Sequence, residues 1–290
     1  MKTMFYFRNL ILGPALAAIC FFAGQSAGDA GAAETAQSGK FTVLTYNVAG
    51  LPEGISQSHP LLFMKRIGPL LNGFDLVLTQ EDFFYGKELK AGAEHPYYDG
   101  RSRAGILGDG LSRFSIFPLG EATHVAWEVC HGTLGYANDC LTPKGFSVAA
   151  HELAPGVEID VYDLHMDAGG NRGDQEARDQ QMAQLIAFMA ERSAGKAVIV
   201  AGDWNISGKR ERDRATLQRL LDEQGLVDSC RALNCGRERI DRILFRGNDN
   251  IKIKAVAYRV EAERFRTRLG LPLSDHKAVS VEFEWELKND

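Results

Sequence analysis

The chain divides by the spacing of its apolar side chains. Residues 41–48, FTVLTYNV, alternate, with Phe41, Val43, Thr45 and Asn47 on one face, the period of a half-buried strand. The last residue of that face is polar. Residues 59–73, HPLLFMKRIGPLLNG, hold apolar positions at helical spacing up to Gly73, with a kink or break expected at Gly68-Pro69. A short strand follows over 74–82, FDLVLTQED, and then a Gly-rich section predicts irregular structure up to residue 145. GFSVAAHEL and VEIDVYDLH read as a hairpin turning at Ala154-Pro155-Gly156. From Asp174 to Arg192, the side chains of Met182, Leu185, Ile186 and Met189 share one face of an amphipathic helix. KAVIVAGDWN is an apolar, buried strand, RATLQRLLDEQG a helix stopped by Gly225, and RIDRILF and AVSVEFEWEL close the chain as strands. No repeat or linker interrupts this order after residue 33. Strands, helices and hairpins interleaved in this way predict one α/β domain, with two mixed sheets packed together and helices outside.

The first 33 residues stand apart from that pattern. Lys2 and Arg8 precede an apolar stretch from Leu10 to Ala23, and the small-residue run AGDAGAAETA follows. This is the layout of an export signal, cleaved near Ala32 or Ala33. A membrane anchor needs about 18 uninterrupted apolar residues, and Gly13 and Pro14 break this stretch. Cys20 as a lipidated cysteine is disfavoured by Ile19, where a small residue belongs. The expected organisation is a signal peptide over 1–33 and a single domain over 34–290, in a periplasmic or secreted protein.

Export leaves Cys130, Cys140, Cys230 and Cys235 in an oxidising compartment with three possible pairings. Proximity favours Cys130 with Cys140 and Cys230 with Cys235, and no CxxC or HxxxH accompanies them as zinc would require. With 45% hydrophobic side chains among 290 residues a sizeable core is available. The net charge is -5, and loss of the signal leaves 31 basic against 37 acidic residues. That balance lacks the basic excess of a general nucleic-acid binder, although a bound cation supplies positive charge locally.

Five strand ends share one feature. The apolar runs terminate in Asn47, in Gln80-Glu81, in His165, in Asp203 with Asn205, and, at the mouth of the last strand, in Asp275-His276. Polar groups at buried strand ends are costly unless paired, solvated or bound to an ion, and one hard-metal site accounts for all five together. Glu81 and the Asn47 amide suit magnesium, which takes oxygen ligands and often only one or two protein carboxylates. Asp203 and Asn205 share a face and can position water or a phosphate oxygen; an Asx-turn is the plainer alternative. Asp241 alternates with Ile243 and Phe245 and so is expected to be buried. There it orients His276 as a base or else pairs with Arg239 or Arg242. His165 is placed to donate to a developing charge or to protonate a leaving oxygen.

LTYNV, TQE, YDLHMDA, VAGDWN, RIDRILF and LSDHKAV, in this order over residues 41–286, resemble the endonuclease/exonuclease/phosphatase superfamily, the deoxyribonuclease I-like fold. The resemblance implies a four-layer α/β sandwich and magnesium-dependent cleavage of a phosphate ester, with manganese as a substitute. It implies a metal site at Asn47 and Glu81 supported by Asp275. His165, Asp203, Asn205, Asp241 and His276 would be the catalytic set, with Asp203 and His276 both open as the formal base. HPYYDG, GLSRFSIFP, LTPKGFSVAAHEL and the DAGG to RDQQ segment are most similar to the neutral sphingomyelinase-like branch, with Arg178 and Gln181 on the helix fitting it. The long aromatic hairpin of secreted bacterial sphingomyelinases is not evident. Two phosphodiester substrates follow as expectations, a phospholipid headgroup or nucleic acid, with no protein partner. Phe83, Phe84 and Tyr85 offer a peripheral membrane contact, a base-stacking surface or simple packing, and Arg101, Arg103 and Arg113 either a phosphate path or a solvated surface. A catalytically inactive binding module would lack at least one of these site residues, and all are present.

Overall fold

A computed structural model describes residues 36–53, 59–102, 108–132 and 139–288. The expected signal at 1–33 and Arg103 lie outside these residues. In chain order the elements are β1 (Ser38–Asn47), α1 (Pro60–Leu71), β2 (Leu76–Gln80), α2 (Gly86–Lys90), β3 (Tyr97–Asp99), β4 (Ser112–Ser115), β5 (Thr123–Ala126), β6 (Gly145–Ala154), β7 (Val157–His165), α3 (Arg172–Arg192), β8 (Val198–Asp203), α4 (Glu211–Gln224), β9 (Val227–Asp228), α5 (Ser229–Ala232), β10 (Asp241–Arg246), β11 (Ile251–Val260) and β12 (Val279–Leu287). They build two six-stranded mixed sheets, ordered β11-β12-β1-β2-β4-β3 and β5-β6-β7-β8-β10-β9.

Period-two rows on the facing sides of the two sheets make the central core. Phe41 and Val43 of β1, Leu76 and Leu78 of β2, and Val279, Val281 and Phe283 of β12 meet Val157, Ile159 and Val161 of β7, Ile199 and Ala201 of β8, and Ile243 and Phe245 of β10. Each such side chain, fully buried, contributes about 1.5–3 kcal/mol. The opposite faces are covered by helices. Leu44, Tyr46 and Val77 pack under Phe63, Met64 and Ile67 of α1. Tyr162, Val198 and Val200 pack under Met182, Leu185 and Met189 of α3 and Leu217 and Leu220 of α4. The outcome is the expected four-layer sandwich.

Helix α1 starts with Pro60 at its first position, where no N–H is needed, and runs through Pro69 to Leu71 without the predicted break. Pro69 falls in the final turn, so the ladder loses little. Helix α3 opens on a reciprocal cap. The Asn171 side chain accepts from the Asp174 amide at 3.0 Å, and the Asp174 carboxylate accepts from the Asn171 amide at 2.9 Å. The favoured disulfide pairings, Cys130–Cys140 and Cys230–Cys235, are present.

Strands β3, β4 and β5 occupy the section expected to be irregular, and β11 completes the edge of the first sheet. Neither was read from the sequence. In β4 all four residues, SRFS, are buried, including Arg113, so no polar alternation marks it. Arg113 is not on a surface: its guanidinium donates to Val161 O at 3.0 Å and Ser147 Oγ at 2.6 Å, tying the two sheets together.

Candidate active site

The inward rows of the core continue into polar side chains at one end of both sheets. Parallel pairing sets Asn47 beside Gln80 in the first sheet. In the second, parallel pairing sets His165 beside Asp203, and antiparallel pairing sets Asp241 against Asp203. In β12 the partner of Thr45 is Val279, which brings His276, three residues earlier, to the same end. Register within each sheet therefore gathers the tips of six strands, three from each.

The two sheets meet at these tips. Asn47 Nδ2 donates to Glu81 Oε1 at 2.9 Å within the first sheet and to Asp203 Oδ2 at 3.1 Å across the gap. His276 Nδ1 lies 2.8 Å from Asp241 Oδ1, a second bond across the gap. Because Nδ1 donates to a carboxylate, Nε2 faces the centre, 3.6 Å from Asp203 Oδ2. His165 Nε2 approaches the same oxygen at 3.5 Å and Glu81 Oε1 at 3.7 Å. Asp241 also takes a long contact from Arg239 at 3.5 Å, whereas Arg242 is engaged by Asp228 and Glu238. Asp241 thus contacts both the His276 imidazole and Arg239.

Backbone conformation aims two of these side chains. Glu81 and Asn205 adopt left-handed φ values of 62° and 52°, a region that asparagine tolerates and glutamate rarely enters. Such strain persists only where the surroundings enforce it. Here the Glu81 carbonyl accepts from Gly50 N at 2.7 Å, and Gly50 has no room for a Cβ against that carbonyl. The Asn205 amide N–H donates to Asp203 Oδ1 at 3.0 Å, the Asx geometry, and its Nδ2 donates to Met166 O at 3.0 Å.

Burial and charge push the two imidazoles apart. Burial drives His165 well below its ordinary value, with Lys144 and His276 adding to the effect, so it is neutral. Burial also opposes charge on His276, but Asp203, Asp241 and Asp275 outweigh it and push it up to about 10. Asp203 is raised to about 6 by burial, against the pull of His276.

Of the eight residues expected here, seven have buried or half-buried side chains at the shared end. Asp275 is the exposed one, with its carboxylate 3.3 Å from Ser274 Oγ. Three acids and imidazoles, Asp203, Asp241 and His276, offer ligand atoms all within 4.8 Å of one another. With the Glu81 carboxylate and the Asn47 amide adjoining, this oxygen-rich donor set fits a hard divalent cation.

Two residues outside that set contribute. Lys144 is nearly buried, pairs with Asp139 at 2.5 Å, donates to Met166 O at 3.3 Å, and lends positive charge to both His165 and Asp203. Ser274 donates to the Asn47 carbonyl at 2.8 Å and fastens the His276 loop to β1. The only sequence signals were the Lys144-Gly145 step and the Ser274-Asp275-His276 tripeptide.

Residues 44–276 match the model of the endonuclease/exonuclease/phosphatase family. A sphingomyelinase of Mycobacterium tuberculosis is 30% identical over 276 residues, covering 87% of this chain and 54% of that protein. The chain therefore spans about half the length of that relative. Sphingomyelinase C from Streptomyces griseocarneus superposes with a TM-score of 0.62 at 21% identity, covering 84% of this chain and 99% of that one. D. rerio TDP2 complexed with a single-strand DNA product superposes with a TM-score of 0.64 at 18% identity, covering 84% and 98%.

Proposed function

The chain belongs to the endonuclease/exonuclease/phosphatase family, and from that premise we propose that it hydrolyses phosphodiesters with magnesium by in-line attack of water, acting on a phospholipid such as sphingomyelin. The observation that carries the reading is the meeting of Asn47, Glu81, His165, Asp203, Asp241 and His276 from both sheets at one end.

Glu81 and Asn47 would hold the cation, with Asp203 alongside; Asp275, exposed, would lend outlying negative charge. When bound, the cation supplies Lewis-acid neutralisation of the phosphoryl oxygens. The protein does the rest. Asp241 would hold His276 with Nε2 toward the water, and with the charge of Asp203 taken up by the cation the ring would be neutral, so that Nε2 accepts a proton and Asp241 stabilises the imidazolium that forms. Asp203 and Asn205 orient that water. His165, kept neutral by burial, retains a hydrogen to donate to the phosphate.

The lipid reading is favoured by the rim. Phe84 and Leu141, 46% and 61% exposed, join Leu51 and Pro52 around a hollow of about 330 Å³ whose wall includes Glu81. Apolar side chains held in water beside a phosphate site suit a substrate that arrives in a lipid surface. The relative named a sphingomyelinase supports the same class. The TDP2 structure with DNA supports the second reading, a secreted or periplasmic endonuclease, against which stands the net charge of -5. Export is supported by the residue pattern at 1–33 and by two disulfides.

Incubation of the purified protein with sphingomyelin, other phospholipids and plasmid DNA tests the reading. Headgroup release from sphingomyelin that needs magnesium and stops with chelator is expected. Nicking of DNA without lipid turnover would overturn the substrate assignment.

A further inference from the structure

Beside the centre lies a second hollow, of about 640 Å³, in a quite different chemical setting. Its walls are the loop after β8, the first turn of α4 and the loop before β10, so Ile206, next to Asn205, and Ile240, next to Asp241, both line it. The Trp204 amide donates to Ile240 O at 2.9 Å and holds the two loops together. Four cations line the space: Lys209, Arg214, Arg237 and Arg239.

These charges are poorly neutralised. Glu238 is the single lining acid, and both its oxygens are taken, one by Arg231 at 2.9 Å and the other by Arg242 at 3.0 Å. Arg239 has only the 3.5 Å contact with Asp241, and its Nε is buried with no hydrogen-bond partner. Among the described residues no carboxylate pairs with Lys209, Arg214 or Arg237. Four like charges in one recess repel one another. An oxyanion placed among them turns repulsion into attraction. Guanidinium forks match the paired oxygens of phosphate more closely than a point charge does, and this chain, net acidic, lines the recess with three of them, Arg239 standing two residues before Asp241.

We propose that this hollow is a second anion subsite, which takes a phosphate group other than the one cleaved. The shared chemistry is a phosphate oxyanion. Its source is either inorganic phosphate in solution or the headgroup of an anionic phospholipid lying beside the substrate in a bilayer.

The test reads binding, so it stands or falls apart from the substrate proposed above. Inorganic phosphate is titrated calorimetrically into the full chain in the presence of chelator, where the acidic centre has no cation to attract it. The comparison is a Lys209→Ala/Arg237→Ala variant; both positions are exposed, so its melting temperature should match the wild type. One phosphate site in the wild type, weakened at least tenfold in the variant, is expected. No binding by the wild type, or equal affinity in the two proteins, overturns the proposal. Phosphatidylcholine vesicles with and without phosphatidylglycerol then separate the sources. Vesicle binding that rises with phosphatidylglycerol only in the wild type assigns the lipid headgroup, and phosphate binding without that rise assigns the soluble anion.

Discussion

His124 and His276 each sit between carboxylates, and they differ in what is left open at the ring. His124 has Nδ1 2.5 Å from Asp109 and Nε2 2.9 Å from Asp99, so both ring nitrogens are occupied. His276 has Nδ1 bound to Asp241, while Nε2 stands 3.6 Å from Asp203, beyond a good hydrogen bond. Both imidazoles are pushed up, His124 to about 9 and His276 to about 10, in each case by acids that overcome burial. Basicity therefore does not distinguish them. The distinction is that both ring nitrogens of His124 are bound, whereas Nε2 of His276 makes no hydrogen bond among the described residues.

Replacement of each histidine should separate the two roles. His276→Ala removes the assigned base and should lower turnover of a bis-aryl phosphate by about 10²–10⁴ with little change in melting temperature. The reverse result, intact turnover, would refute the base. His124→Ala leaves Asp109 and Asp99 without their shared donor and should cost about 1–3 kcal/mol of stability, read in urea titrations, while turnover per folded molecule is kept.

The pH dependence sharpens the same contrast. His124 titrates higher in the folded protein than the ordinary value of about 6.5, so its contribution is complete below about pH 6.5. That contribution is lost as pH rises toward about 9. His151 has the opposite sign. Burial, together with the charge of Arg113, pushes it down to about 3, so its neutral form stabilises the fold above about pH 6.5 and the benefit drains away as pH falls. Denaturation midpoints across this range should decline on both flanks, the alkaline one through His124 and His276 together, and His124→Gln should reduce the alkaline decline and leave the acid one. A wild-type alkaline flank as flat as that of the variant would remove His124 from the account.

The smallest effect expected is at the apolar rim. Phe84→Ala with Leu141→Ala should slow hydrolysis of sphingomyelin in vesicles severalfold, by loss of about 1–2 kcal/mol of apolar contact, and leave a soluble phosphodiester unaffected. Equal slowing of both substrates would place these side chains in the centre and not at a lipid surface.

Most of the centre was legible because its residues continue inward rows whose period is visible in the sequence, as in Val157, Ile159 and Val161 leading to His165. What escaped lacked a period or a partner in view. β4 is buried at every position, with its arginine bridging the sheets from inside. β11 has apolar alternation only at Ile251, Ile253 and Ala255 before a bulge interrupts its pairing. Lys144 belongs to the centre through its pairing with Asp139 and its charge on two distant residues, none of which spacing can reveal. Phe83 and Phe84 are neighbours of like composition, yet one is 1% and the other 46% exposed, a difference set by tertiary packing.

Each sheet carries half of the centre, and only side-chain bonds such as Asn47 to Asp203 and Asp241 to His276 stitch the halves. No backbone ladder runs between the sheets among the described residues, so a slip of one over the other with every strand intact is resisted by the packed core and by side-chain bonds such as these and those of Arg113. Such a slip would leave the circular dichroism spectrum of the protein unaltered and its catalysis gone. Turnover would then report such a loosening before secondary structure does.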